Sequence, residues 1–135
     1  MNNSLSSVRV AVVQAAPVIM DRTATIVKVA ELTAQAAAQG AKIVVFPETF
    51  IPCYPRGLTF GAIIGSRSDA GRRDFWRFSE NSVTVPSEAT STLGEIARKA
   101  GVYLVIGVVE RDAEYSASTL YNTTLYFGPD GSYQG

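Results

Sequence analysis

Histidine is absent from this chain of 135 residues, and cysteine occurs once. Those two shortages exclude a Ser-His-Asp triad, a Cys-His dyad, a Cys/His zinc site and an intrachain disulfide built from this chain alone. An excess of charge of either sign is also missing, because twelve Lys and Arg balance twelve Asp and Glu. Zero net charge gives no electrostatic ground for expecting nucleic acid or an anionic membrane surface as partner. No apolar run approaches the roughly 18 residues of a membrane span. The opening stretch, Met1 to Ser7, is polar and lacks the basic and apolar regions of a secretion signal, so a cytoplasmic address is the expectation. Sequons at Asn2 and Asn122 then read as chance. What is present is a 47% hydrophobic composition, enough for a packed core and too apolar for a disordered chain.

The pattern along the chain alternates. Val8 to Gln14 reads as a Val-rich strand that ends at Pro17. Residues 22–39 carry a helical stripe of Ile26, Val29, Ala30, Thr33 and Ala37, with Asp21 or Thr23 as cap and Gly40 at the exit. Lys42 to Phe46 reads as a second strand, stopped by Pro47. Strand, helix and strand in this order form a βαβ unit, so the two strands are expected to be parallel. Residues 48–85 are less regular: Pro52, Pro55 and Gly57 mark a loop, and short helices are expected at Phe60 to Ile64 and at Asp74 to Glu80. Five arginines (56, 67, 72, 73 and 77) make this stretch locally basic. Pro86-Ser87-Glu88 opens a clearer helix with Ala89, Leu93, Ile96, Ala97 and Ala100 on one face, closed by Gly101. Val102 to Glu110 and Thr119 to Phe127 read as an antiparallel strand pair, and Ser132 to Gln134 as the start of another strand. Nearly continuous apolar strands are covered on both faces. Two good helices can cover one face, and the second layer is not evident in the sequence.

In open α/β sheets, ligands bind beyond the carboxyl ends of the strands. Glu48 lies two residues past Phe46, at such an end. A carboxylate leaving a buried strand tends to be partly desolvated, which makes it a usable base. By position alone, a solvated loop charge is the commoner role for a single acid.

The surrounding residues change that weighting. Val44-Val45-Phe46-Pro47-Glu48-Thr49-Phe50, followed by Tyr54-Pro55, resembles the first motif of the nitrilase superfamily of carbon–nitrogen hydrolases. Further strings extend the likeness: Arg9-Val10-Ala11-Val12-Val13-Gln14-Ala15, Tyr54-Pro55-Arg56-Gly57, Ile64-Gly65-Ser66-Arg67, Val102 to Arg111, and Thr119-Leu120-Tyr121-Asn122-Thr123. The similarity runs from about residue 8 to residue 135 and is closest to nitrilases proper. It implies an α/β fold, the N-terminal part of an αββα sandwich with a mixed sheet and flanking helices. On that reading residues 1–7 are a flexible N-terminus, and residues 8–135 are an incomplete N-terminal portion of the hydrolase domain.

The resemblance also implies a Glu base, a Lys and a Cys nucleophile acting on a small nitrile, with no metal or organic cofactor and with homo-oligomers in the full-length protein. Only Glu48, as proton acceptor, carries over to this sequence. The family's Lys and nucleophilic Cys fall beyond Gly135, so the 135 residues alone are expected to be inactive. Tyr54 is placed at the pocket wall as a substrate-binding residue, with a packed aromatic as the equal rival. Cys53 occupies a position where the family has a small residue, and nothing nearby supplies the depressed pKa a reactive thiol needs. Lys28, Lys42 and Lys99 read as solvated charges, as do Arg56 and Arg67 unless they pair with absent carboxylates. Gly57-x-x-x-Gly61-x-x-x-Gly65 reads as tight packing in a soluble protein or as chance.

Three function classes compete. The first is a nitrilase, with amidase or cyanide-hydrolysing relatives beside it. The second is a non-catalytic truncated or interaction fragment. The third, a nucleotide-binding module, lacks a Gly-x-Gly-x-x-Gly turn, since Gln14-Ala15-Ala16-Pro17 follows the first strand.

Overall fold

The computed structural model describes residues 7–62, 67–116 and 118–135. Seven elements follow one another: β1 (Val10–Val12), α1 (Arg22–Ala38), β2 (Ile43–Val45), α2 (Asp69–Glu80), α3 (Glu88–Ala100), β3 (Tyr103–Arg111) and β4 (Leu120–Phe127). They build one mixed sheet in the order β1-β2-β3-β4. β1, β2 and β3 run parallel, and β4 returns antiparallel to β3. The expected βαβ start and antiparallel pair are both present. Residues Ser132 to Gln134 pair antiparallel with the end of β4, as the start of a further strand would: the Gln134 N–H donates to the Tyr126 carbonyl at 2.8 Å. They fold back on β4 through a bridge between Phe127 and Tyr133.

Local chemistry sets the helix ends. The Asp21 side chain accepts from the Ala24 N–H at 2.9 Å, so Asp21, not Thr23, caps α1. Ser87 and Thr90 satisfy each other's backbone N–H groups in a capping box at the start of α3, and Gly101 closes that helix at φ 64°. α2 begins at Asp69, five residues before the expected Asp74, because Ser68 accepts from the Gly71 N–H and fixes the first turn. The short helix expected at Phe60 to Ile64 is not formed over its described part. Phe60 and Gly61 instead make a turn with φ 51° and 68°. Residues 63–66, which include Ile64, Gly65 and Ser66, lie outside the described residues, as do residues 1–6 of the expected flexible N-terminus.

Register decides which residues share a face. Val44 pairs with Ala11 and Leu104, and Leu104 with Phe127, so these four form one row across the sheet. That row and its neighbours Ile106, Val108 and Leu125 are buried under α1 and α3, which pack against each other through Val29, Leu93, Ile96 and Ala97. The expected helix faces are the ones buried, with Thr25 added: its hydroxyl donates to the Val18 carbonyl and accepts from the Val18 N–H.

The adjacent row, one residue along each strand, is Val12, Val45, Val105 and Tyr126. It points to the opposite face, where Val12 is 78% and Tyr126 48% exposed. Val10 and Tyr103 on the same face are also exposed. Within the described residues, then, α1 and α3 cover one face of an apolar sheet; on the other, the loop after β2 and Phe78 of α2 cover Gly107 and Val109, and the row from Val12 to Tyr126 is left open.

Candidate active site

β2 does not end cleanly at Pro47, as the sequence suggests. Phe46 N–H still donates to the Val105 carbonyl, and Ile51 returns to bridge Val108. Between those points the chain bulges, and Pro47, Glu48 and Thr49 pass across Gly107 on the open face. Thr49 takes φ 45°, a left-handed conformation that a β-branched residue adopts at a cost of about 1–2 kcal/mol. Its side chain is buried, and Oγ1 finds no partner among the described residues. Strained backbone of this kind concentrates at functional sites.

The bulge delivers Glu48 to the wall of an open cleft of about 500 Å3. The cleft lies among the carboxyl end of β2, the loop that follows it, Val109 of β3, and Leu120, Tyr121 and Asn122 at the start of β4. Glu48 is exposed, so the sheltered, partly desolvated carboxylate expected from the sequence is not what these residues provide. The cleft has walls of sheet and loop but no roof from the described residues. The carboxylate is nevertheless held: Asn122 Nδ2 donates to Glu48 Oε1 at 2.6 Å.

Tyr54 and Arg56 line the same cleft, both on its exposed side. The sequence therefore named two residues, Glu48 and Tyr54, that the fold does bring together. Tyr54 is 59% exposed, so the described residues do not pack it as a core aromatic. Phe78 of α2 contributes the apolar floor beside Val109. α2 is held near the sheet by the Arg111–Glu80 ion pair at 2.8 Å and by the Val83 bridge to Glu110.

Cys53 does not itself line the cleft, but packs behind two residues that do, Phe78 and Val109. It is buried with Met20, Phe78 and Val109. Burial pushes its thiol above the ordinary range, opposed by a hydrogen bond with the Met20 backbone. A thiol so placed is a poor nucleophile. Lys42 immediately precedes β2, at the end of the strand remote from Glu48, as its spacing implied. Arg67 is exposed and does not line this cleft. Among the described residues no three His, Cys, Asp or Glu side chains cluster to hold a metal. No helix there is long and apolar enough to cross a membrane.

Asn122 is the residue that sequence reasoning missed. It stands in the family-like string Thr119 to Thr123 and in a sequon, and neither reading gives it a chemical role. The available signal was its type: Asn is disfavoured inside strands, and here it interrupts an otherwise strand-forming run.

A family model described as carbon–nitrogen hydrolase matches residues 9–135. An aliphatic nitrilase of Sinorhizobium fredii (strain HH103) is 48% identical over 127 residues, covering 94% of this chain and 40% of the relative. A bifunctional nitrilase/nitrile hydratase of Nicotiana tabacum is 45% identical over 134 residues, covering 99% of this chain and 37% of the relative. The chain thus spans about two-fifths of the length of the curated relatives it matches. Among solved structures, an amidase from Nesterenkonia sp. superposes with a TM-score of 0.64 at 20% identity, over 95% of this chain and 41% of the amidase. A carbon–nitrogen hydrolase from Helicobacter pylori G27 gives a TM-score of 0.64 at 22% identity, over 95% and 38%. At these identities the two structures establish the likeness of fold, an α/β arrangement with a mixed sheet and flanking helices.

Proposed function

This chain belongs to the carbon–nitrogen hydrolase family, and from that premise we propose that it is the N-terminal portion of a nitrilase whose proton acceptor is Glu48. The observation that carries the proposal is the bulge after β2, which sets a hydrogen-bonded carboxylate in a cleft at the carboxyl end of a parallel strand. Similarity at 45–48% identity to proteins named as nitrilases favours a nitrile over an amide as substrate. The amidases among the structural neighbours are more distant in sequence and bear on the fold.

In the proposed reaction a cysteine thiol from polypeptide beyond Gly135 gives its proton to Glu48. The thiolate attacks the nitrile carbon and forms a thioimidate. Water adds to the C=N bond, and the tetrahedral intermediate expels ammonia to leave a thioester. A second water releases the carboxylic acid and restores the thiol. A lysine, also from beyond Gly135, balances negative charge as it develops on nitrogen and oxygen. Overall, one nitrile and two waters give one acid and one ammonia. Glu48 moves the proton at each stage, which is why its cleft must open toward the reacting carbon. Tyr54 lines the same cleft and contacts the substrate. The open sheet face, with its row of Val12, Val45, Val105 and Tyr126, receives the second sheet of the αββα sandwich. Residues 8–135 are then an incomplete domain.

The test is product analysis on the gene's full-length product with matched nitriles and amides. Acid and ammonia from the nitrile are expected, and Glu48→Gln should lower kcat by about 10²–10⁴-fold. Turnover of amides alone would overturn the nitrilase assignment. A Glu48→Gln variant at the parental rate would overturn the role of Glu48. The isolated 135 residues should release no ammonia, since Cys53 is buried and, among the described residues, no lysine lines the cleft.

A further inference from the structure

Glu48 and Asn122 are 74 residues apart in sequence, and each is exposed. Their contact at 2.6 Å is a charge-assisted hydrogen bond from an amide to a carboxylate. Asn122 stands opposite Val109 in the β3–β4 ladder, so its backbone position is fixed by the sheet. Glu48 hangs from a bulge whose path is fixed by the same sheet at Gly107. The two residues therefore meet because β3 carries both of their supports.

We propose that Asn122 is a positioning residue for the Glu48 carboxylate, a role that rests on Glu48 being the proton acceptor. With one carboxylate oxygen engaged by the Asn122 amide, the other is left to take the thiol proton, and the side chain loses its freedom to swing in the cleft. A general base gains from such restriction because proton transfer requires a narrow range of distance and direction. Other candidates for the task line the cleft less directly. Arg56 and Tyr54 come from the loop, and Tyr121 neighbours Asn122, but among the described residues Asn122 is the side chain hydrogen-bonded to Glu48. Glu110, across the ladder from Tyr121, is occupied by the Thr123 hydroxyl at 2.8 Å.

Exposure of both partners makes the proposal separable from stability. A hydrogen bond between groups open to water contributes little to folding, because water replaces it. Within these residues the contact adds little to folding, so a positioning role is read from turnover and from rescue by Gln, with melting as the control.

The experiment uses the gene's full-length product, with Asn122→Ala, Asn122→Asp and Asn122→Gln beside Glu48→Gln. Asn122→Asp keeps the shape but puts an acceptor where the donor was, and Asn122→Gln keeps an amide donor. The first two should lower kcat by about ten- to a hundredfold, while KM changes by no more than about twofold. Asn122→Gln should recover a substantial part of the loss, and the melting temperature should stay at the parental value in all three. Parental kcat in Asn122→Asp, with Glu48→Gln inactive, overturns the positioning role and leaves the function of Glu48 intact. A kcat loss that tracks a fall in melting temperature and is not restored by Gln assigns Asn122 to the fold and also overturns it. Full activity in Glu48→Gln overturns the underlying reading of the site, a result distinct from the other two.

Discussion

Glu48 crosses β3 directly over Gly107, so closely that a Cβ on Gly107 would lie 2.6 Å from the Glu48 Cα and 2.6 Å from the Pro47 carbonyl oxygen. Both contacts are with backbone, which cannot rotate away. The absence of a side chain at one position of β3 is therefore a condition for the position of the carboxylate. Gly107→Ala must lift the bulge off the sheet. We expect a stability loss of about 1–3 kcal/mol from the forced backbone shift and a large fall in kcat as Glu48 leaves its place. Urea denaturation and steady-state rates of the full-length product check both. A variant with parental midpoint and parental kcat would show that the bulge is not tied to this glycine.

Cys53 supplies a prediction about pH. Burial raises the pKa of its thiol in the folded chain, so the fold favours the protonated form. An unfolded thiol titrates near pH 8.5. Above that pH the unfolded state holds fewer protons than the folded state, and stability falls as pH rises. Cys53→Ala should remove this part of the pH dependence. Urea midpoints of parent and variant at pH 7 and about pH 9.5 should converge or cross, the parent losing more than the variant. Parallel losses in the two proteins would contradict the assignment. Activity should survive the substitution, because Cys53 does not line the cleft.

The open face of the sheet predicts the behaviour of residues 1–135 alone. Each 100 Å2 of apolar surface left wet forfeits about 2.5 kcal/mol of burial, against a net stability of about 5–15 kcal/mol for a whole domain. Contiguous apolar faces of several hundred Å2 act as association sites. The isolated chain should sediment as dimers or larger species. Val12→Glu with Tyr126→Glu, both on the exposed row, should raise the monomer fraction. A parental chain that is monomeric and melts cooperatively would refute the expectation.

Sequence alone was enough for the elements whose causes are local. The α3 boundaries follow from Ser87, Thr90 and Gly101, and the buried stripe of Leu93, Ile96 and Ala97 follows from helical spacing. The strands followed from runs of Val and Ile, although β1 and β2 are three residues each, shorter than expected. The start of α2 lies five residues before the expected one although its cause is local: Ser68 accepts from the Gly71 N–H three residues on, a cap that the sequence pattern offered.

Glu48 and Tyr54 were legible as residue types in a family-like string, and their order along the chain placed them past the end of a strand. Their setting was not legible. Whether the carboxylate is sheltered or exposed, which amide holds it, and why Gly107 must lack a side chain all depend on distances between segments far apart in sequence. Residue type and spacing determine helix, strand and candidate chemistry because those causes act within a few residues. The bulge at Thr49, the Asn122 contact and the open sheet face were decided by tertiary structure, since each arises where β2, β3 and β4 are brought side by side.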